Sequence, residues 1–115
     1  MKTLLCVLTA ALLAGCAAPS GMARSGGPKQ TLTSQKPDAA VAQCIQISWQ
    51  DEKLFGNGFD VFMNPLSKGG YTVFTTETEY FADVRSQGGQ TLIEYYTARS
   101  GDISDRRVAA IATCL

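Results

Sequence analysis

The stretch YTVFTTETEYFADVRSQGGQTLIEYYTAR, Tyr71 to Arg99, decides the fold. It holds three runs rich in β-branched and aromatic residues, at 71–76, 80–85 and 91–99, and a fourth such run precedes it at 59–64. The segments between the runs, PLSKGG, ETE and SQGGQ, have the length and composition of hairpin connections. The pattern predicts a four-stranded antiparallel meander.

The predicted strands have two unlike faces, because successive side chains of a strand point to opposite sides of a sheet. One face is uncharged and is expected to lie under helices; it holds Phe59, Val61, Met63, Tyr71, Val73, Thr75, Tyr80, Ala82, Val84, Thr91, Ile93, Tyr95 and Thr97. The opposite face, called the outer face below, holds the charged residues Asp60, Asp83, Arg85 and Glu94 and the apolar residues Phe62, Phe74, Phe81, Leu92 and Tyr96.

The large apolar residues of the outer face have two interpretations. They can be cross-strand pairs that stabilise an exposed sheet, each worth about 0.2–1 kcal/mol. They can also form a surface that binds a partner or a second copy, since an apolar patch rimmed by charge is typical of interaction sites. A strand placed one residue out of register would exchange the two faces. The sequence leaves these possibilities open.

One helix is predicted before the meander along the chain and another after it. The first runs from Pro37 to about Phe55 and ends at Gly56–Gly58. The second begins near Ser104, which can act as its N-cap, with Ile103 and Val108 as a hydrophobic staple. The apolar faces at helical spacing are Val41, Cys44, Ile45, Ser48 and Trp49 in the first helix and Val108, Ile111, Cys114 and Leu115 in the second. The predicted fold class is α+β, a four-stranded antiparallel meander with two helices on one face in the order α-β-β-β-β-α.

The N-terminus has the pattern of an export signal, with Lys2 before the uncharged apolar run Leu4–Leu13. Ten residues of helix span about 15 Å, which is half of a bilayer's hydrocarbon core and too short for a transmembrane helix. The segment Leu13-Ala14-Gly15-Cys16 resembles the lipobox of bacterial lipoproteins. The runs AVAQCIQISW, GGYTV and AAIATCL are loosely similar to small, uncharacterised proteobacterial outer-membrane lipoproteins.

The lipobox resemblance implies cleavage between Gly15 and Cys16, a diacylglyceryl group on the Cys16 sulfur, and acylation of the new N-terminus. Several acyl chains hold a protein on a membrane stably, at about 0.8 kcal/mol per buried CH₂. In the lipoprotein family, Asp directly after the lipidated cysteine favours retention at the inner membrane. Ala17 at that position implies the outer membrane of a Gram-negative host, with the domain facing the periplasm.

The chain is therefore expected to have three parts. They are a signal peptide at 1–15, a lipidated N-terminus with a flexible tether at 16–36, and a small globular periplasmic domain at 37–115. The tether is predicted because this segment is rich in Ala, Ser, Gly, Pro and Thr.

The cysteine count changes once the signal is set aside. Cys6 lies in the expected signal and the lipobox resemblance implies lipid on Cys16, so Cys44 and Cys114 would remain, in an oxidising compartment. A disulfide between them is expected, and a free buried pair is the alternative. A metal site is disfavoured, because the chain has no histidine and only these two thiols to offer.

Composition argues against several functions. The chain from Cys16 onward has nine Lys and Arg against ten Asp and Glu, so it has no basic surplus for binding nucleic acid. Without histidine the usual general base is missing. Glu77 and Glu79 have a spacing that the two carboxylates of an inverting glycosidase could use, but their surroundings fit a polar turn better. Ser67-Lys68 could be imagined as a Ser–Lys catalytic dyad, but it fits a solvated hairpin loop better.

We therefore expect a protein that is not an enzyme and has no cofactor beyond the lipid on Cys16. The expected role is a protein-binding accessory or assembly module of the cell envelope, with an envelope protein as its partner. The alternative is an inhibitor, immunity or exclusion lipoprotein that neutralises one envelope-targeting protein.

Overall fold

The computed structural model describes residues 19–51 and 60–115. In chain order the elements are α1 (Gly21–Arg24), β1 (Gln30–Ser34), α2 (Asp38–Asp51), β2 (Val61–Pro65), β3 (Tyr71–Thr75), a 3₁₀ turn (Thr76–Thr78), β4 (Tyr80–Gln87), β5 (Gln90–Thr97) and α3 (Asp102–Ala112). The strands form an antiparallel sheet in the order β1-β5-β4-β3-β2. Within the described ranges, no helix is long and apolar enough to cross a membrane.

The α+β class and the antiparallel sheet are confirmed. The predicted runs appear as β2 to β5, joined in hairpin order, and the register gives each side chain the face expected from alternation. Val73, Ala82 and Ile93 are fully buried on the helix side. The predicted end of the first helix at Phe55, the stop at Gly56–Gly58 and the strand start at Phe59 lie outside the described residues.

The described residues form five strands and three helices, where four strands and two helices were predicted for the chain. The additional strand β1 pairs with β5, placing Leu32 opposite Ile93. Its sequence QTLTS has Leu32 as its one large apolar residue, and this side chain packs against the core. β1 is held mostly by backbone hydrogen bonds to β5 along an edge that would otherwise be open. It needs few apolar side chains for this, so its sequence resembles that of a loop. The prediction of a flexible tether over 30–34 is therefore wrong.

The core lies between the sheet and the two long helices. Its centre is Trp49 of α2, which is fully buried and meets Tyr95 of β5 edge-on, with ring centroids 6.2 Å apart. The rest of the core comes from α2, the helix side of the sheet and the C-terminal end of the chain: Val41, Ala42, Ile45, Val61, Val73, Tyr80, Ala82, Val84, Ile93, Ile111 and Cys114.

Two links join α2 to the C-terminal helix. The Cys44–Cys114 disulfide is present and spans 70 residues, which excludes the free pair. A loop of that length contributes about 4 kcal/mol in the chain-entropy description. One turn further along, the indole of Trp49 donates to the carbonyl of Arg107, and the Arg107 guanidinium donates to the carbonyl of Trp49, both at 3.1 Å.

Helix α3 begins two residues before the predicted cap. It starts at Asp102 after Gly101, whose φ of 115° favours glycine, and no side chain caps it. Asp102 and Asp105 in the first turn suit the positive end of the helix dipole. Ser104 is buried, with its hydroxyl 3.0 Å from that of Tyr95, so its role is in the core and the N-cap prediction is wrong.

Candidate functional site: the outer face of the sheet

Four aromatic residues form a row across the outer face. The strand register places Phe62 opposite Phe74, Phe74 opposite Phe81, and Phe81 opposite Tyr96, which joins β2 to β5. The rings of Phe62 and Phe74 stack with centroids 5.5 Å apart, and those of Phe81 and Tyr96 stack nearly parallel at 4.7 Å. We call these four residues the aromatic row.

The aromatic row is only partly open to solvent. Phe74, Phe81 and Tyr96 are at most 7% exposed, whereas Phe62, at the β2 edge, is 46% exposed. Leu92 is half-buried and lies outside the row, opposite Arg85 and Thr33. The expectation of five exposed apolar residues on the outer face is therefore wrong for three of them, because other groups cover their rings.

One covering group is Arg24, at the end of α1. Its Nε donates to Asp83 Oδ2 at 2.5 Å and its Nη2 donates to Asp83 Oδ1 at 2.8 Å, so the ion pair is bidentate. The guanidinium carbon lies 5.1 Å from the centroid of the Phe81 ring, within cation–π range. We call this set of contacts the Arg24 clasp. The hydrogen bond to Asp83 raises the pKa of Arg24, and partial burial acts in the opposite direction.

The clasp, rather than helix propensity, keeps α1 folded. A four-residue helix containing glycine is far below the length at which a helix is stable alone. Ser20 caps it by accepting from the backbone N–H of Ala23 at 3.3 Å. Arg24 also reaches back along its own segment, since Nη1 donates to the carbonyl of Pro19 at 2.5 Å. The clasp thus fixes Pro19–Arg24 against the sheet.

Beside the aromatic row lies a row of polar residues. Asp83 and Glu94 stand directly opposite each other on β4 and β5, an arrangement of like charges that destabilises a sheet unless it is compensated. Arg24 neutralises Asp83, and Arg85 forms an ion pair with Glu94. Burial, reinforced by these two carboxylates, raises the pKa of Tyr96.

A cleft of about 380 Å³ opens between the end of α1 and the neighbouring ends of β4 and β5. Phe81 and Tyr96 line it. Glu79 and Arg99 also line it and form an ion pair at 2.9 Å. The cleft therefore continues the aromatic row toward a charged border, which is the composition expected of a protein-binding surface.

The other residues considered from the sequence are not brought together into a chemical site. Glu79 is paired with Arg99, and the side chain of Glu77 lies outside the described part of the chain. Ser67 and Lys68 are exposed in the β2–β3 turn. Among residues 19–51 and 60–115, no group of three His, Cys, Asp or Glu side chains could hold a metal ion. Gly15 and Cys16 precede the described residues.

Comparison with models of protein families, with curated proteins and with solved structures finds no match for this chain.

Proposed function

We propose that this chain is a lipid-anchored cell-envelope protein that binds another protein through the outer face of its sheet. The aromatic row is the observation that carries the proposal. The helix side of the sheet already has a complete core centred on Trp49, so the fold does not need a second set of stacked rings on the opposite side. Aromatic residues are enriched in the parts of interfaces that carry most binding energy.

The groups around the row indicate the chemistry of the partner. In the free chain Arg24 supplies a cation to Asp83 and a flat group to the Phe81 ring. A partner that displaces α1 must replace both contacts, because an unpaired buried carboxylate is costly. The expected partner surface therefore presents an arginine or lysine flanked by apolar side chains, which would reach Asp83 and the aromatic row together.

The anchor is the second part of the proposal. The lipobox resemblance of 13–16 supports lipidation of Cys16, and Ala17 supports sorting to the outer membrane with the domain in the periplasm. The proposal assigns the protein no catalytic residue and no cofactor apart from the covalent lipid.

Photo-crosslinking in living cells tests the binding surface. A photoreactive amino acid replaces Phe62 on the outer face or, as the control, Ile47 on α2; these side chains are 46% and 54% exposed. We expect one envelope protein to be captured from Phe62 and not from Ile47, and to be captured more strongly when Arg24→Ala opens the clasp. Capture from Ile47 alone, or from neither position, would contradict the proposal.

The state of the captured protein separates the two roles. An accessory or assembly module co-fractionates with a large membrane complex. An inhibitor, immunity or exclusion protein instead binds one soluble partner tightly in a one-to-one ratio.

A further inference from the structure

We infer that the outer face of the sheet rests against the phospholipid surface while the Arg24 clasp is closed. The inference deepens the proposed function and depends on its lipid anchor at Cys16. It concerns the free protein, before a partner displaces α1.

The clasp fixes the chain to the domain very near the anchor. Pro19 is buried, and its carbonyl accepts from Arg24 Nη1 at 2.5 Å. The carbonyl of Ser20 accepts from the same nitrogen at 3.2 Å. The chain is thus attached to the outer face from Pro19 onward, whereas the sequence had predicted a tether reaching residue 36.

The distance available between the lipid and the domain is correspondingly short. From Cys16 to Pro19 the chain advances three residues, which can span at most about 11 Å. If α1 were released, the next fixed point would be Lys29, whose N–H donates to the carbonyl of Tyr95 at 2.7 Å. Thirteen residues would then separate that point from Cys16 and could span about 45 Å. The closed clasp therefore leaves no room for a folded protein between the outer face and the membrane.

The outer face has the composition that a lipid surface tolerates. Two ion pairs, Arg24 with Asp83 and Arg85 with Glu94, neutralise the charges in the middle of this face, and Asp60, just before β2, is the other acidic side chain assigned to it. Its exposed large apolar side chains are Met22 on α1 and Phe62 on β2, at 84% and 46%. Apolar side chains at the level of the headgroups favour membrane contact.

Fluorescence quenching by lipid tests this orientation. The full-length lipidated protein is reconstituted in vesicles of phosphatidylethanolamine and phosphatidylglycerol containing phosphatidylcholine with a nitroxide on its headgroup. Two variants are compared, Phe62→Trp on the outer face and Ile47→Trp on the opposite side, each in the presence of the native Trp49. Phe62 is chosen because it is far in sequence from Cys16, so its proximity to lipid depends on how the domain lies.

We expect quenching of the introduced indole to be several-fold stronger for Phe62→Trp than for Ile47→Trp. Adding Arg24→Ala to Phe62→Trp should reduce its quenching to the Ile47→Trp level, because the longer tether frees the domain. Equal quenching of the two positions in protein that floats with the vesicles would overturn the orientation and leave the anchor intact. Protein that carries no lipid and does not float would instead overturn the anchor, and the orientation with it.

Discussion

Replacing Arg24 with alanine is the substitution whose effect the structure specifies best. The change removes two charge-assisted hydrogen bonds to Asp83, at 2.5 and 2.8 Å, and the cation over Phe81. It leaves the Asp83 carboxylate, 5% exposed, directly opposite the carboxylate of Glu94. Breaking a buried ion pair by removing one partner costs about 3–5 kcal/mol.

The expected cost lies below that range, because the Arg24 side chain is 23% exposed and water can reach Asp83 once α1 has left. We therefore expect the free energy of unfolding to fall by about 2–3 kcal/mol, a large share of the 5–15 kcal/mol of a typical domain. Urea unfolding followed by far-ultraviolet circular dichroism measures the change.

The matched control is Arg85→Ala, which breaks the second ion pair of the outer face. Arg85 is 41% exposed and Glu94 is 16% exposed, so this loss should cost less than about 1 kcal/mol. A double-mutant cycle with Asp83→Asn isolates the Arg24–Asp83 pair. The reasoning fails if Arg24→Ala costs no more than Arg85→Ala, or if the effects of Arg24→Ala and Asp83→Asn are additive.

Three further expectations concern stability and are measured by the same unfolding assay. Gly70→Ala should lower the free energy of unfolding by more than about 2 kcal/mol, because the added Cβ would lie 2.3 Å from a backbone oxygen of β4. Gly69→Ala is the control, since Gly69 has a similar positive φ but open space around it, and it should cost about 1–2 kcal/mol. Equal effects would refute the steric argument. Arg107→Ala should lower the free energy of unfolding by about 3 kcal/mol or more, because Arg107 is fully buried and its guanidinium is hydrogen-bonded to α2. The neighbouring Arg106 is exposed, so Arg106→Ala should change stability by less than about 0.5 kcal/mol. Because the pKa of Tyr96 is raised in the folded protein, the unfolded chain loses the phenolic proton at lower pH, and stability should fall above about pH 10. Tyr96→Phe should make that fall less steep. An unchanged dependence of stability on pH would contradict the burial argument.

The sequence predicts the centre of the sheet because one of its two faces carries no charged side chain. In β3, β4 and β5 the helix-side positions carry no charge, so the alternation fixes the register and the side on which the long helices pack. The apolar pattern at helical spacing likewise predicted that Cys44, on α2, and Cys114, two residues after α3, would meet, and the disulfide joins them. Long-range packing therefore follows from local pattern where one face is clearly apolar.

The edge strand β1 and the short helix α1 over the outer face could not be predicted in this way. β1 has one large apolar residue, Leu32, and the remaining positions are polar, so neither burial nor composition marks it. α1 owes its structure to a contact with Asp83, which lies 59 residues away from Arg24 in the chain. A signal was present in retrospect, since Asp83 and Glu94 required cations and Arg85 could serve only one of them.

The sequence predicts which residues form the aromatic row and on which face of the sheet they lie. It does not predict that other groups cover most of them. Alternation placed Phe62, Phe74, Phe81 and Tyr96 on the outer face, and the register aligned them across four strands. The cover over Phe81 comes from Arg24, in the segment before residue 30, whose low hydropathy and small residues resemble a tether. Contacts made by a single arginine leave almost no periodic trace in a sequence.

The location in the cell envelope and the membrane orientation both depend on the lipid at Cys16, so the modification of this cysteine is the most direct test. Protein extracted from membranes is digested with trypsin, which cuts after Arg24, and the N-terminal peptide is analysed by mass spectrometry. We expect a peptide covering 16–24 with a diacylglyceryl group on the Cys16 sulfur and an acylated amino terminus, and loss of that modified peptide in Cys16→Ser. A mature chain that begins elsewhere, or an unmodified Cys16, would contradict the lipid anchor.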